Sequence, residues 1–305
     1  MQVLLAQPRG FCAGVERAIA IVDTLLEKNK SPVYVRHEIV HNRRVVEKLK
    51  NKGVKFVEEV DQIPNGSLTV FSAHGVSKQV KQNAKQRNLT TVDATCPLVT
   101  KVHSQGQRYA ARGYEIILIG HEYHPEVQGT IGQISGKVHL ISDLSDVDKL
   151  EVRNPERVAF ITQTTLSVDD TAEVVDALKV KFPKIVGPDI DDICYATQNR
   201  QNAVRALAKR VDLVLVVGAT NSSNSNRLCE VSRASGTPTY LLQEADDLKL
   251  EWLEGKKIVG ISAGASTPEE LVEEVIAKID NYESSEVSTM NGIDENVHFN
   301  LPKLG

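Results

Sequence analysis

Three cysteines at matching positions are the residues of this sequence most suited to chemistry. Cys12, Cys96 and Cys194 each stand directly before a segment with a helical pattern. Pro97 follows Cys96, and proline is favoured in the first turn of a helix. Because free N–H groups and the dipole at a helix N-terminus favour a thiolate, these cysteines are candidate nucleophiles or metal ligands.

The elements around these cysteines form a pattern that occurs three times, with a period of about ninety residues. Each copy has a helix, an apolar strand, a polar loop, a second helix, a second strand with an acidic turn, a third strand ending in a hydroxyl-rich loop, and a closing helix. The helices predicted directly after the cysteines are Gly14–Lys28, Pro97–Arg112 and Thr197–Arg210. The strands predicted after those helices are Pro32–Val35, Glu115–Ile119 and Leu213–Val217.

This alternation of strands and helices predicts an α/β fold built from βαβ units with parallel sheets. We expect three pseudo-repeated domains at 1–88, 89–184 and 185–280, with the carboxyl ends of the strands forming the ligand-binding edges. The tail at 281–305 lies outside the repeat. Its stretch Ser284–Glu295 is polar and is expected to be mobile, whereas Val297–Phe299 is a candidate short strand.

Two interpretations of the three cysteines compete. Free cysteine is among the most buried residue types, so they could be structural core residues. Their equivalent positions at strand-to-helix junctions favour a shared role instead. A [4Fe–4S] cluster normally takes four cysteines, so three would leave one iron open to a substrate. Cys229 has no counterpart in the other copies and is predicted to be a packing residue.

Short hydrogen-bonding side chains occupy equivalent places in the strand-end loops. They are His41, His124, Ser223 and Asn224 in the polar loops, and His74, Thr164 and Ser266 in the hydroxyl-rich loops. A ring of such donors suits an anion such as a phosphate or diphosphate, to which helix N-termini would add N–H groups. The sequence contains no Walker A or GxGxxG motif, so a nucleotide is not indicated.

Glu126, in the second polar loop, is a candidate general acid, because a buried carboxyl beside a metal cluster can hold a proton at neutral pH. The alternative is a carboxylate that only stabilises a helix N-terminus. Asp191 and Asp192 are expected to be ordinary loop or helix-start charges.

Composition narrows the class of protein. A net charge of −4 without a basic domain argues against a nucleic-acid partner. No apolar run reaches membrane-spanning length and the N-terminus lacks a signal-peptide pattern, so we expect a cytoplasmic protein without a membrane partner. In that compartment four cysteines indicate catalysis or metal binding rather than disulfides.

The motifs resemble those of the 4-hydroxy-3-methylbut-2-enyl diphosphate reductase (IspH/LytB) family, from Met1 to about Ile279. The segments that carry the resemblance are Pro8–Val15, Tyr34–Asn42, Phe71–Ser77, Asp93–Pro97, Gly120–Glu126, Thr162–Ser167, Asp192–Thr197 and Asn221–Arg227.

The resemblance implies a trefoil of three α/β domains around a central [4Fe–4S] cluster with one open iron site. Cys12, Cys96 and Cys194 match the cluster ligands, and Glu126, Thr164 and His124 match the catalytic residues. The residues that match the substrate-binding set are His41, His74, His124, Thr164, Ser222, Ser223, Asn224 and Ser266.

The implied reaction is the reductive removal of the allylic hydroxyl of (E)-4-hydroxy-3-methylbut-2-enyl diphosphate, with ferredoxin or flavodoxin as electron donor. It yields isopentenyl and dimethylallyl diphosphate in the last step of the non-mevalonate isoprenoid pathway. Two alternatives stay open: a hydro-lyase that uses the same cluster as a Lewis acid, and a cluster-based redox or metal sensor. No feature of the sequence indicates an oligomeric state.

Overall fold

The computed structural model describes residues 1–29, 31–188 and 192–303. The strands in chain order are β1 (Gln2–Leu5), β2 (Val33–Arg36), β3 (Lys55–Val57), β4 (Leu68–Phe71), β5 (Thr90–Asp93), β6 (Glu115–Ile119), β7 (Val138–Ile141), β8 (Val158–Thr162), β9 (Leu213–Val217), β10 (Thr239–Leu242), β11 (Ile258–Ala263) and β12 (Glu286–Thr289). The α-helices are α1 (Ala13–Lys28), α2 (Arg43–Asn51), α3 (Lys78–Gln86), α4 (Pro97–Ala111), α5 (Pro125–Gln133), α6 (Leu144–Lys149), α7 (Val168–Lys181), α8 (Tyr195–Ala208), α9 (Ser223–Ala234) and α10 (Glu269–Tyr282).

Within the described residues these strands form three sheets, and every strand pairing in them is parallel. Their strand orders are β10-β9-β11-β1-β12, β3-β2-β4-β5 and β7-β6-β8. The predicted α/β class with parallel sheets is therefore confirmed. None of the helices in the described part of the chain combines the length and apolar character that a membrane span requires.

The chain divides into two compact units. The first unit comprises Met1–Val15, His41–Val45 and Tyr195–His298 and contains the five-stranded sheet. The second unit comprises Glu16–Val40, Val46–Cys194 and the residues from Phe299 onward, and contains the other two sheets.

In the first unit the five-stranded sheet is covered on both faces. Strand β9 is a continuous apolar run whose five residues are all buried, as expected for a central strand of a parallel sheet. Its Leu215 belongs to a core cluster with Val275 of α10, whereas Val216 belongs to a second cluster with Leu207 of α8. Alternate side chains of one strand thus pack against helices on opposite faces.

In the second unit β6 has the same arrangement. Ile117 packs in a cluster with Leu178 of α7, and Leu118 packs in another cluster with Val102 of α4. The hydroxyl-rich loops follow the ends of β4 and β8, so the apolar core places their polar residues at the carboxyl edges of the sheets.

The sheets do not divide at the predicted domain boundaries. Strand β1, before Cys12, pairs with β11, and β5, before Cys96, pairs with β4 of the preceding copy. Val186, before Cys194, forms a parallel bridge to Ala159 of β8. The predicted boundaries at 88/89 and 184/185 therefore separate β5 from β4 and Val186 from β8, although each pair is joined by hydrogen bonds. The three-domain division stays a prediction.

The expectation of a mobile tail at Ser284–Glu295 is wrong. Glu286–Thr289 form strand β12, which pairs with β1, and the Met290 N–H donates to the Leu5 carbonyl at 3.0 Å. Val297–Phe299 do not form a strand. All residues of β12 are exposed, so the strand is held by backbone pairing along β1 and has no apolar pattern that could reveal it.

A glycine in the middle of α4 provides a test of how the second unit packs. Gly106 is buried, and a Cβ at this position would collide with Ile134 and lie 3.1 Å from Ile161 Cδ1. Helix propensity alone would make Gly106→Ala stabilising by about 1 kcal/mol. We expect overpacking to outweigh this gain and the substitution to destabilise the protein by about 1 to 3 kcal/mol in guanidinium unfolding.

Ile134→Val is the matched control for this prediction, because it removes the Cδ1 atom that the new methyl group meets. The double variant Gly106→Ala/Ile134→Val should be more stable than the sum of the two single changes predicts. Strict additivity, or a stabilised Gly106→Ala variant, would contradict the packing described for α4.

Candidate active site

The three cysteines lie at helix N-termini, as predicted. Cys96 is the N-cap of α4, with Pro97 at the first helical position, and Cys12 and Cys194 immediately precede α1 and α8. All three are of intermediate burial and stand outside any disulfide, whereas Cys229 on α9 is buried. Cys229 packs in an apolar cluster, which agrees with its predicted role.

Each of these cysteines makes the same backbone hydrogen bond to a hydroxyl-rich loop. The Cys12 N–H donates to the Ala265 carbonyl at 3.1 Å, the Cys96 N–H to Ala73 at 2.9 Å, and the Cys194 N–H to Thr164 at 3.0 Å. The acceptor in each case follows the strand β11, β4 or β8. The shared bond ties the start of each helix to a strand end.

A buried acid stands out in the second unit. Glu126 is 3% exposed and lies in the first turn of α5. The Thr164 N–H donates to Glu126 Oε1 at 2.7 Å, and the Thr164 hydroxyl donates to Oε2 at 2.9 Å. Thr164 therefore contacts both Glu126 and, through its carbonyl, the backbone of Cys194.

The environment of Glu126 favours a proton on its carboxyl group. Burial raises the pKa of Glu126 to about 7, and the nearby Asp192 charge acts in the same direction, while the two Thr164 hydrogen bonds oppose the shift. A carboxyl group with such a pKa is partly protonated at neutral pH and can act as a general acid. Although Glu126 lies at a helix start, where the dipole favours a carboxylate, burial outweighs that effect and raises its pKa.

Two of the predicted histidines accompany this acid. The rings of His74 and His124 are 6.0 Å apart and nearly perpendicular. His124 is the N-cap of α5, and its Nδ1 accepts a hydrogen bond from the Glu126 N–H at 3.2 Å. His74 Nδ1 lies 3.3 Å from the Ser72 hydroxyl. The second unit thus brings together His74, His124, Glu126 and Thr164.

Asp192 was expected to be an ordinary loop charge, and that expectation is wrong. Its side chain is fully buried, and its Oδ1 lies 3.8 Å from the Lys101 ammonium. Its charge also raises the pKa of Glu126. The sequence offered no signal for this, because an acidic pair before a helix usually remains in solvent. Asp191 lies outside the described residues.

The first unit contains the other predicted polar residues. Ser222 is the N-cap of α9, where its hydroxyl accepts from the Ser225 N–H at 3.3 Å. Asn224 Oδ1 accepts from the Ala265 N–H at 3.0 Å. The Ser266 hydroxyl donates to the His41 carbonyl at 2.8 Å. Ser222, Asn224 and Ser266 are all buried.

These contacts place hydroxyl, amide and imidazole groups around the start of α9 and the loop after β11. Asn221 Nδ2 lies 3.4 Å from His41 Nδ1, which connects His41 to the same loop. Ser223 is the first residue of α9. Neutral donors of this kind, with the N–H groups of a helix start, can bind an anion with several acceptor oxygens.

Sequence reasoning missed the surroundings of Cys12. Burial raises the pKa of the Cys12 thiol, and the positive charge of Arg200 opposes that shift. Arg200 is 1% exposed and donates to the Gly10 and Phe11 carbonyls just before Cys12. No pattern in the sequence relates position 200 to this loop.

The donor chemistry of the three cysteines fits an iron–sulfur cluster. Such clusters are held by thiolates, each on a different iron, so the sulfurs need not converge on one ion. In the described ranges no group of three or more His, Cys, Asp or Glu side chains could hold a single metal ion. Cysteines at three separate helix starts suit a cluster of several irons.

Comparison with known proteins identifies the family. Residues 3–280 match the family model described as LytB protein. The chain is 58% identical over 302 residues to a 4-hydroxy-3-methylbut-2-enyl diphosphate reductase of Burkholderia pseudomallei, an alignment covering 99% of this chain and 96% of the relative.

Two solved structures are also similar. The structure of the E-1-hydroxy-2-methyl-but-2-enyl-4-diphosphate reductase from Plasmodium falciparum is 39% identical, covers 100% of this chain and 95% of its own, and has a TM-score of 0.92. A second structure, of (E)-4-hydroxy-3-methyl-but-2-enyl diphosphate reductase, the terminal enzyme of the non-mevalonate pathway, is 34% identical, with a TM-score of 0.66 and coverage of 92% and 100%. Proteins of this kind bind an iron–sulfur cluster. With a match that spans nearly its whole length, the chain belongs to the LytB protein family.

Proposed function

We propose that this chain is a 4-hydroxy-3-methylbut-2-enyl diphosphate reductase that acts last in the non-mevalonate pathway. The name of its full-length relatives supports the activity. The structural observation that carries the proposal is the buried Glu126–Thr164 pair, which is bonded to the backbone of Cys194. The reaction consumes two electrons and two protons and releases the allylic hydroxyl as water, giving isopentenyl and dimethylallyl diphosphate.

We assign Cys12, Cys96 and Cys194 as the ligands of one [4Fe–4S] cluster with one iron left open. When bound, the cluster would supply the electrons and a Lewis-acidic iron for the substrate oxygen. The positions of these cysteines at helix starts support the assignment, because exposed N–H groups and the helix dipole stabilise thiolates.

The substrate diphosphate is assigned to neutral hydrogen-bond donors and histidines. Fixing the diphosphate would hold the hydroxyl end of a short substrate at a defined place, which contributes orientation rather than chemistry. The proposed binding residues are His41, His74, His124, Thr164, Ser222, Ser223, Asn224 and Ser266.

Protonation is assigned to Glu126, with Thr164 and His124 as its partners. The Thr164 hydroxyl can donate to a Glu126 carboxylate or accept from the carboxylic acid, so it can follow a change of protonation without moving. His124 fixes the start of the helix that carries Glu126. Electrons are proposed to come from ferredoxin or flavodoxin.

The first prediction concerns the cluster ligands. Cys96→Ser should lose most of the iron and acid-labile sulfide of the anaerobically purified protein, because an alkoxide is a poor substitute for a thiolate ligand. Cys229→Ser is the matched control and should keep both, since Cys229 lies in an apolar cluster. Full iron content in the Cys96→Ser variant would contradict the ligand assignment.

The second prediction concerns the proton donor. Glu126→Gln preserves the size of the side chain and an acceptor for Thr164 but cannot release a proton. We expect it to keep the cluster and the KM and to lower kcat by about a hundredfold or more. Glu122→Gln, a change at an exposed position of the same loop, should have the kcat and KM of the parent. Near-normal turnover of Glu126→Gln with a ferredoxin-type reductant would remove Glu126 from the mechanism.

The third prediction concerns pH. Because the acid form of Glu126 is required and its pKa is about 7, kcat/KM should fall as the pH rises above that value. Thr164→Val removes a hydrogen bond that lowers the pKa of Glu126, so the alkaline limb should move to higher pH. Thr164→Ser should leave it in place. An alkaline limb that persists in Glu126→Gln would assign this limb to another group.

One control separates the reductase from a hydro-lyase. Product formation by the holoenzyme should stop when the reductant is omitted, because the reaction requires two electrons. Turnover without reductant would favour a hydro-lyase that uses the same cysteines.

A further inference from the structure

Arg200 is the largest fully buried side chain among the described residues, and its guanidinium is fully hydrogen-bonded. Nε and Nη2 donate to the Gly10 carbonyl at 3.1 and 2.9 Å, and Nη2 also donates to the Phe11 carbonyl at 3.1 Å. Nη1 donates to the Ala196 carbonyl at 2.9 Å. The arginine therefore connects α8 to the two residues that precede Cys12.

The counter-ion of this arginine comes from the C-terminal segment. Arg200 Nη1 donates to both carboxylate oxygens of Glu295, at 3.1 Å to Oε1 and 3.0 Å to Oε2. Oε1 also accepts from Asn199 Nδ2 at 2.9 Å. The side chain of Glu295 is 12% exposed. A buried guanidinium is costly without a paired charge, so Arg200 depends on Glu295 to remain in place.

The segment that delivers Glu295 is attached along the strand that leads to Cys12. Strand β12 pairs with β1, and Met290 is buried in a cluster with Leu4. Gly292 packs so closely on the backbone of Gln7 that a Cβ there would collide with it. The C-terminal segment, residues 286–295, thus follows the chain from β1 to the loop before Cys12.

We propose that Glu295 is a positioning residue for Cys12, acting through Arg200 and the Gly10 and Phe11 carbonyls. The C-terminal segment then forms a clamp that fixes the loop carrying one cluster ligand. The family model ends at residue 280, so this clamp lies beyond the matched region. The inference rests on the proposed function for the role of Cys12 as a ligand; the contacts themselves do not depend on it.

The test compares three variants of the full chain, purified without oxygen. Glu295→Ala removes the counter-ion, Glu295→Gln keeps an acceptor without the charge, and Asp294→Ala is the matched control. Asp294 is the neighbouring carboxylate and contacts Gln7 instead of Arg200. Each protein is exposed to an iron chelator and iodoacetamide together, and peptide mapping at early times gives the alkylation rates of Cys12, Cys96 and Cys194 separately.

We expect iodoacetamide to alkylate Cys12 about tenfold faster in Glu295→Ala than in the parent, because the variant loses hydrogen bonds to a charged group. Cys96 and Cys194 belong to the other unit, so their early rates should not change. Iron release should accelerate with Cys12 labelling. Glu295→Gln should be intermediate, and Asp294→Ala should behave as the parent.

Equal acceleration at all three cysteines would show a general loss of stability and overturn the proposal, as would an unchanged Cys12 rate in both Glu295 variants. If Glu295→Ala fails to fold, the Glu295→Gln variant decides the question. The deciding quantity is the ratio of its Cys12 alkylation rate to those of Cys96 and Cys194. A parent protein that contains no iron would refute the proposed function instead, while the labelling ratio would still test the clamp.

Discussion

The backbone positions of the three cysteines depend on one repeated hydrogen bond, from the N–H of a cysteine to a carbonyl at the end of a neighbouring strand. The bond occurs at Cys12, Cys96 and Cys194, with the same kind of loop as acceptor. It fixes the backbone where a helix begins, so each sulfur is held beside exposed N–H groups. A parallel sheet provides this geometry because its strands all end at one edge, and the apolar cores described for β6 and β9 hold that edge rigid.

Glu126 and the proposed anion-binding donors of the first unit lie in different electrostatic environments. Glu126 is buried with only neutral Thr164 donors, and the negative charge of Asp192 further disfavours ionisation. In the first unit, Ser222, Asn224 and Ser266 are neutral and satisfied by backbone groups, so their burial carries no comparable electrostatic penalty. The second unit therefore contains a carboxyl group whose pKa is raised, and the first contains buried polar groups that do not titrate.

Local patterns predicted most of the helices and strands and the positions of the cysteines at helix starts, but not α6 or β12. β6 and β9 have the bounds that the sequence predicts, because continuous apolar runs between polar loops define central strands well.

The repeat placed Glu126 and Thr164 in strand-end loops. It could not show that β1 pairs with β11 of the third copy or β5 with β4 of the first, because strand neighbours are set by long-range hydrogen bonds that leave no periodic signal. Asp192 was missed for a related reason: its burial depends on contacts distant in sequence.

The C-terminal segment shows where hydrophobic patterning stops being informative. Strand β12 is wholly exposed and is stabilised by backbone pairing at a sheet edge, and Glu295 is stabilised by a buried cation. Neither contribution comes from burying apolar side chains, so a polar composition was misread as mobility. The two kinds of stabilisation also act on different parts of the molecule. The apolar cores fix the sheets, whereas polar and ionic contacts fix the loop before Cys12. A change in these contacts can therefore alter the position of Cys12 while the sheets remain folded.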